Sequence, residues 1–373
     1  MTPEVNQKLT HKDAKKIVTK ILSATKVEFP KQYSYRTWRT AIENPAHPLS
    51  TLIKSTLIDK QEGSHLNTLN TINGAICRLL EREYPLAGAV GTKSDEAVKT
   101  IHNPKKLGQF IHENMLLLRT LSMTRINNPS IPQRALTLAP LFPKLSGSTV
   151  VFECGCSRGD IGIVLLNMER AIAGAENYFF PKFNESGLPS VNSPAHAENA
   201  VDKYFGIDTH LQEDDPWRLS VWGLEDERRE QLSNFYRDFQ PKSQSADCFQ
   251  QLSANGCHPE TYLNQFMSFA EGSNNLIIIT SYMVGQLPLD QQQEFFDSMN
   301  RLMSSFNDLS SANGETIWLN QDFRDFLKPS AERDYKKSNI VQITPSTLGK
   351  SPDFKELAIL DSDSCNYITP VIS

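Results

Sequence analysis

The chain has 373 residues, of which 39% are hydrophobic, 22% charged and 9% aromatic, a composition that can bury a core and excludes a disordered chain or a small stapled scaffold. Its 38 Lys and Arg against 43 Asp and Glu give a net charge of -5, which offers phosphates no attractive field and argues against a nucleic-acid partner. The cysteines at 77, 154, 156, 248, 257 and 365 show no paired metal spacing, and no apolar run approaches the roughly 18 residues that cross a bilayer. A soluble cytoplasmic protein with reduced thiols and no membrane partner is expected.

Residues 10–145 carry apolar residues three and four apart and few β-branched runs, which predicts an all-α N-terminal domain over 1–146. Its clearest helix opens at Asn103-Pro104 and runs through KKLGQFIHENMLLLRTLSM, with Leu107, Phe110, Ile111, Leu117, Leu118 and Leu121 as the buried stripe. Further helices are expected over 68–82 and 132–141. At Ser148 the texture changes. TVVFECGC is a short β-branched run ending at glycine, followed by the helical DIGIVLLNMERAIAG. Residues 173–200, rich in Gly, Asn, Ser and Pro, look like an insertion or lid.

KYFGID, residues 203–208, reads as a second strand, followed by helices over 225–239 and 259–269. NNLIIITSYM belongs in the middle of a sheet, and a helix over 289–306 leads to the strand ETIWLNQD. ELAILD and YITPVIS close the chain as strands that, joined by so short a connection, pair antiparallel if they are neighbours. Residues 147–373 are thus expected to form an α/β domain with a mostly parallel sheet and a C-terminal antiparallel hairpin.

The chemistry concentrates in the loop Glu153-Cys154-Gly155-Cys156-Ser157-Arg158-Gly159-Asp160 at the carboxyl end of the first strand, where open α/β sheets hold their ligands. The glycines can equally serve only to turn the chain and pack the helix. As the acid-x-Gly-x-Ser-x-Gly loop of class I methyltransferases, Glu153, Gly155, Ser157 and Gly159 would hold the amino-acid end of S-adenosyl-L-methionine. Asp208 would then accept from the ribose hydroxyls, although it lies far beyond the usual offset of about 20 residues. As a nucleophile elbow, Gly-x-Ser-x-Gly would make Ser157 the nucleophile of a serine hydrolase, with Asp208 or Asp247 and then His210 or His258. That fold needs several strands before the elbow, and the preceding chain looks helical. The dinucleotide pattern fails, because Ser157 stands where a second glycine is needed. Cys154 and Cys156 read as small packing thiols.

Asp247 is a candidate acceptor for an adenine amino group, with a helix cap before CFQQL as the structural alternative. Thr280, Ser281 and Tyr282 follow the mid-sheet strand, at the mouth where a transferred methyl group would meet its acceptor. Tyr282 and His258, with His210 behind them, are the candidate proton acceptors.

With these residues in view, the chain resembles domain-of-unknown-function family 2332, bacterial proteins with a methyltransferase-like core behind a helical N-terminal region. The resemblance rests on ENMLLLRTLSMTRINNPSIPQRALTLAPLF, VVFECGCSRGDIGIVLL, GIDTHLQEDDPWRLSVWGLEDERREQL, LIIITSYMVGQLPLDQQQEFF and TIWLNQD, in that order. It implies a Rossmann-like class I methyltransferase sheet, matches the family arginine to Arg134, and places Trp217 and Trp222 where tryptophans recur. The chain departs from the family at Thr280-Ser281, where members often read His-Ser, and at Ser130-Ile131, where Asn-Glu is usual. The expected function is S-adenosylmethionine-dependent methyl transfer to a small-molecule substrate. The competing expectation is a methyltransferase-like binding or interaction protein without turnover.

Overall fold

The computed structural model describes residues 41, 44–60, 65–84, 95–125, 132, 134–142, 145–178, 201–209, 211, 215–221, 224, 227–309, 314–323, 325–328, 338–344, 352–360 and 368–370. Its helices are α1 (Pro48–Lys60), α2 (His65–Glu83), α3 (Asp95–His102), α4 (Pro104–Glu113), α5 (Met115–Thr124), α6 (Arg134–Leu138), α7 (Asp160–Leu166), α8 (Met168–Ala173), α9 (Ala175–Tyr178), α10 (Asp215–Val221), α11 (Glu227–Asp238), α12 (Leu263–Ala270) and α13 (Leu289–Leu309). Its strands are β1 (Thr149–Cys154), β2 (Lys203–Asp208), β3 (Phe249–Ser253), β4 (Asn275–Ser281), β5 (Thr316–Phe323), β6 (Ser338–Thr344), β7 (Asp353–Leu360) and β8 (Ile368–Pro370). Among the described residues no helix is long and apolar enough to cross a membrane.

The chain divides into two compact units, one of residues 1–129 with 213–233, the other of residues 130–212 with 234–373. The division falls at 129/130 instead of 146, and a later stretch returns to the helical unit. Within that unit α2 is the central helix. Its Leu69, Ile72, Ile76 and Leu80 are buried, and Gly74 lets Trp217 and Val221 of α10 approach. Asn73 Nδ2 donates to the Val221 carbonyl at 3.2 Å, Ser220 Oγ donates to Glu81 at 3.1 Å, and Arg229 of α11 pairs with Glu81.

Asn103 caps α4 as its position before proline implies, accepting from the Lys105 and Lys106 amides at 3.0 and 3.2 Å. The long helix expected beyond it is two helices, because Asn114 leaves helical geometry (φ -108, ψ 14) and its side chain donates to the Phe110 carbonyl. The break rotates the stripe: Leu107, Phe110, Ile111 and Leu118 are buried, whereas Leu117 is exposed and Leu121 only half-buried.

The other unit is α/β. Among the described residues eight strands run in the order β3-β2-β1-β4-β5-β6-β7-β8. The first five are mutually parallel, and β6, β7 and β8 add antiparallel. The closing pair β7 and β8 is the hairpin expected from the sequence. FQQLS, read above as following a helix cap, is the edge strand β3. β1 and β4 are buried at every position, because helices cover the sheet on both faces. On one face α12 and α13 contribute Tyr262 just before α12, Phe266, Phe295 and Phe306 to a core with Phe152, Phe205 and Trp318. On the other, α7 lies on Tyr204 of β2 at Gly162, where a Cβ would overlap the tyrosine ring.

Candidate functional site

Strand alternation sends Val150, Phe152 and Cys154 of β1 into the α12/α13 core and Val151 and Glu153 to the opposite face. Glu153 stands beside Gly206 of β2 and Ile279 of β4, with 2% of its surface exposed. The Tyr204 hydroxyl donates to Glu153 Oε2 at 2.5 Å. Burial pushes the Glu153 carboxyl up to about 8, the Tyr204 hydrogen bond works against that shift, and the Asp160 charge adds to it. At neutral pH Glu153 therefore holds its proton beneath the loop. It is not presented to the crevice as the anionic acceptor expected from the sequence.

The loop bends through three positive-φ residues: Gly155 (79°), Ser157 (54°) and Gly159 (80°). Only Ser157 carries a Cβ there, in a conformation that costs roughly 1–2 kcal/mol for an L-residue. Its backbone N–H donates to Asp208 Oδ2 at 2.8 Å, so the acid ending β2 holds the bend in place. The Gly155 and Cys156 amides donate to the Ile207 carbonyl at 2.9 and 3.1 Å, and the Gly159 amide to the Cys156 carbonyl at 2.7 Å. Gln251 of β3 donates to the Ser157 carbonyl at 3.2 Å.

The two glycines differ in purpose. A Cβ at Gly159 would meet Phe249 at 2.8 Å and Gln251 at 2.9 Å, so that glycine admits β3. At Gly155 the neighbour is the flexible Met283 side chain, 3.1 Å away at Cγ. Arg158 pairs with Asp160 at 2.8 Å and donates to the Phe239 carbonyl at 2.7 Å, tying the loop to the end of α11. The Ser157 hydroxyl is buried without a hydrogen-bond partner among the described residues. Cys154 and Cys156 are free and buried, and burial raises both thiols well above their usual range, which leaves them unreactive.

The chain reverses its direction across the sheet between β1 and β4, so the loops after these two strands flank the crevice. At the end of β4, the Thr280 hydroxyl is committed inside the sheet. It donates to Asn320 Oδ1 at 2.8 Å and accepts from Trp318 Nε1 at 3.1 Å, so it cannot serve the crevice. The Ser281 hydroxyl is buried without a partner among the described residues. Tyr282, at φ 54, donates its hydroxyl to Ser338 Oγ at 2.6 Å and lies under the Arg134 guanidinium, whose carbon is 4.3 Å from the ring centroid.

Glu153, Gly155, Ser157, Gly159 and Asp208 come together at the loop, and Tyr282 stands at the end of the neighbouring strand β4. Asp247 and His258 do not join them. Asp247 is exposed and precedes β3, at the amino end of a strand whose ligand edge is its carboxyl end. The His258 side chain is 49% exposed, and its Nδ1 lies 3.6 Å from Glu260. His210, Trp222 and residues 179–200 lie outside the described residues.

Tyr204, Gly162 and Met283 were not singled out from the sequence. Alternation back from Asp208 through Gly206 puts Tyr204 on the face of the acid, but only the pairing of Glu153 with Gly206 brings its hydroxyl under Glu153. No protein-family model matches the chain, and no curated protein matches it either.

Proposed function

We propose that residues 130–212 and 234–373 form a Rossmann-like, class I methyltransferase core. S-adenosyl-L-methionine would bind at the crevice between the β1 and β4 loops, and a small molecule would be the methyl acceptor. The observation that carries this reading is the positive-φ bend 155–159 at the carboxyl end of the central parallel strand, at the reversal point of the sheet. The parallel order β3-β2-β1-β4-β5 matches the first five strands of the doubly wound nucleotide-binding sheet, and the departure begins at β6, which is antiparallel.

The residues fit the cofactor in part. Among the described residues Gly155 faces only a movable methionine and the Ser157 hydroxyl retains its hydrogen-bonding capacity, and Asp208 ends the adjacent strand. These three would hold it. Glu153 supports the bend from below through Tyr204, Gly159 packs β3, and Thr280 and Asp247 take no part. Bound there, S-adenosylmethionine would supply an electrophilic methyl group. The chain's own contribution is to orient ligands and exclude water, an effect that reaches roughly 7–11 kcal/mol in well-oriented systems.

Binding without turnover is the second reading, favoured by the Thr280 hydroxyl being buried and committed inside the sheet and by the outward-facing His258. A serine hydrolase draws less support, because the Ser157 hydroxyl has no base within hydrogen-bond reach among the described residues. Titration calorimetry with S-adenosylmethionine and S-adenosylhomocysteine is the test. Wild type is expected to bind both, and Gly155→Val to lose at least about tenfold in affinity while keeping its circular dichroism. A folded wild type that binds neither ligand refutes the cofactor assignment, and binding with no methyl transfer to any metabolite leaves the second reading standing.

A further inference from the structure

Arg134 opens α6 with only 8% of its surface exposed. Among the described residues its buried Nε has no hydrogen-bond partner and the guanidinium makes no ion pair. The acid whose field it shares, Glu153, is engaged by the Tyr204 hydroxyl and forms no ion pair with the guanidinium. A guanidinium set this deep, with its Nε lacking an acceptor among the described residues, is compensated only in part by stacking on Tyr282.

The position is specific. Tyr282 is the first residue after β4, and its hydroxyl bond to Ser338 at the start of β6 pins the ring along the carboxyl edge of the sheet. Arg134 is thereby fixed at the same edge as the 155–159 bend. Two further hydroxyls at this edge, Ser157 in the bend and Ser281 at the end of β4, are each 9% exposed and lack partners among the described residues.

We propose that Arg134, with the hydroxyls of Ser157 and Ser281, forms a subsite for a carboxylate carried by the ligand of this crevice. The planar guanidinium fork matches a planar carboxylate through two parallel hydrogen bonds. A phosphate dianion would call for more cationic donors than one arginine and two hydroxyls. The subsite rests on the crevice assigned above but not on the identity of the cofactor. The carboxylate belongs either to the amino-acid end of the cofactor or to the methyl acceptor.

The test compares wild type, Arg134→Met and Arg134→Lys by calorimetry and thermal denaturation. The probes are S-adenosylhomocysteine, 5′-methylthioadenosine, which lacks the amino-acid end, and glutarate as a plain carboxylate. Tighter binding of S-adenosylhomocysteine than of methylthioadenosine, by about tenfold to a hundredfold and abolished in Arg134→Met, assigns the subsite to the cofactor. Equal S-adenosylhomocysteine affinity in wild type and variant, with glutarate raising the melting temperature of wild type alone, assigns it to the acceptor. If S-adenosylhomocysteine fails to bind folded wild type but glutarate still protects wild type alone, the methyltransferase reading falls and the subsite stands.

Unliganded Arg134→Met is expected to melt at or above wild type, since the buried Nε that lacks an acceptor among the described residues is removed. Should that variant not fold, Arg134→Lys keeps the charge without the fork and is read against the same probes. The proposal is overturned if no probe distinguishes wild type from either variant. It is also overturned if Arg134→Met melts well below wild type, Arg134→Lys restores the loss, and no carboxylate response depends on the arginine.

Discussion

The identity of an acid near a strand end does not disclose its role. Glu153 is next to last in β1 and Asp208 last in the neighbouring β2, yet Asp208 accepts from the Ser157 amide whereas Glu153, buried on Tyr204, has its carboxyl lifted from 4.5 to about 8. Between those two values the folded protein binds a proton that the unfolded chain has released, so the Glu153 contribution is most favourable below about pH 4.5 and is lost as pH rises through 8. Glu153→Gln keeps the shape and the Tyr204 hydrogen bond without the titration. It should match wild type in stability near pH 5 and gain on it by up to about 1.4 kcal/mol per pH unit towards pH 8. Urea denaturation at several pH values measures this, and parallel pH profiles for the two proteins would contradict the buried titration. Both acids were legible in the sequence as strand-end carboxylates. Their opposite roles were not, because sequence spacing does not report which neighbour fills the face of a pleated strand.

At the scale of elements, the same face depends on α7 lying flat against β2. Gly162 is what permits it, since a Cβ there would overlap the Tyr204 ring. Gly162→Ala should cost about 1–3 kcal/mol through overpacking, although alanine is the better helix former. A chemical denaturation midpoint unchanged from wild type would show that α7 can shift without loss. β1, β2, β4 and β5 could be read from the sequence because buried parallel strands leave dense apolar runs. β3 was not: Phe249–Ser253 lies at the sheet edge, half-exposed, with two glutamines and a serine. β6 was passed over as well, since SNIVQIT mixes polar and apolar residues with no turn signal in front of it. Missing β3 placed Asp247 at the wrong end of the sheet.

On the scale of the whole molecule, composition located two units but not their stitching. The change of texture at Ser148 marks where strands begin, whereas the unit boundary falls at 129/130 and residues 213–233 return to the helices. No composition shift signals that return, because α10 and the start of α11 are helical like their surroundings. A fragment of residues 130–373 would carry α10 without α2, leaving Trp217, Val221 and the Glu81 partners Ser220 and Arg229 uncovered. Such a fragment should aggregate or bind a hydrophobic dye, and replacing residues 213–233 by a short Gly/Ser linker should restore cooperative unfolding. A monomeric, dye-silent 130–373 fragment would argue that α10 needs no partner. The interrupted helical unit also sets a schedule for the nascent chain. Pro129 ends its first segment and Glu213 begins its second, so at about 5–20 residues per second on the ribosome α2 waits several seconds for its mate. During that interval the young polypeptide is most open to capture by other chains, and any pause in translation before Glu213 lengthens the exposure.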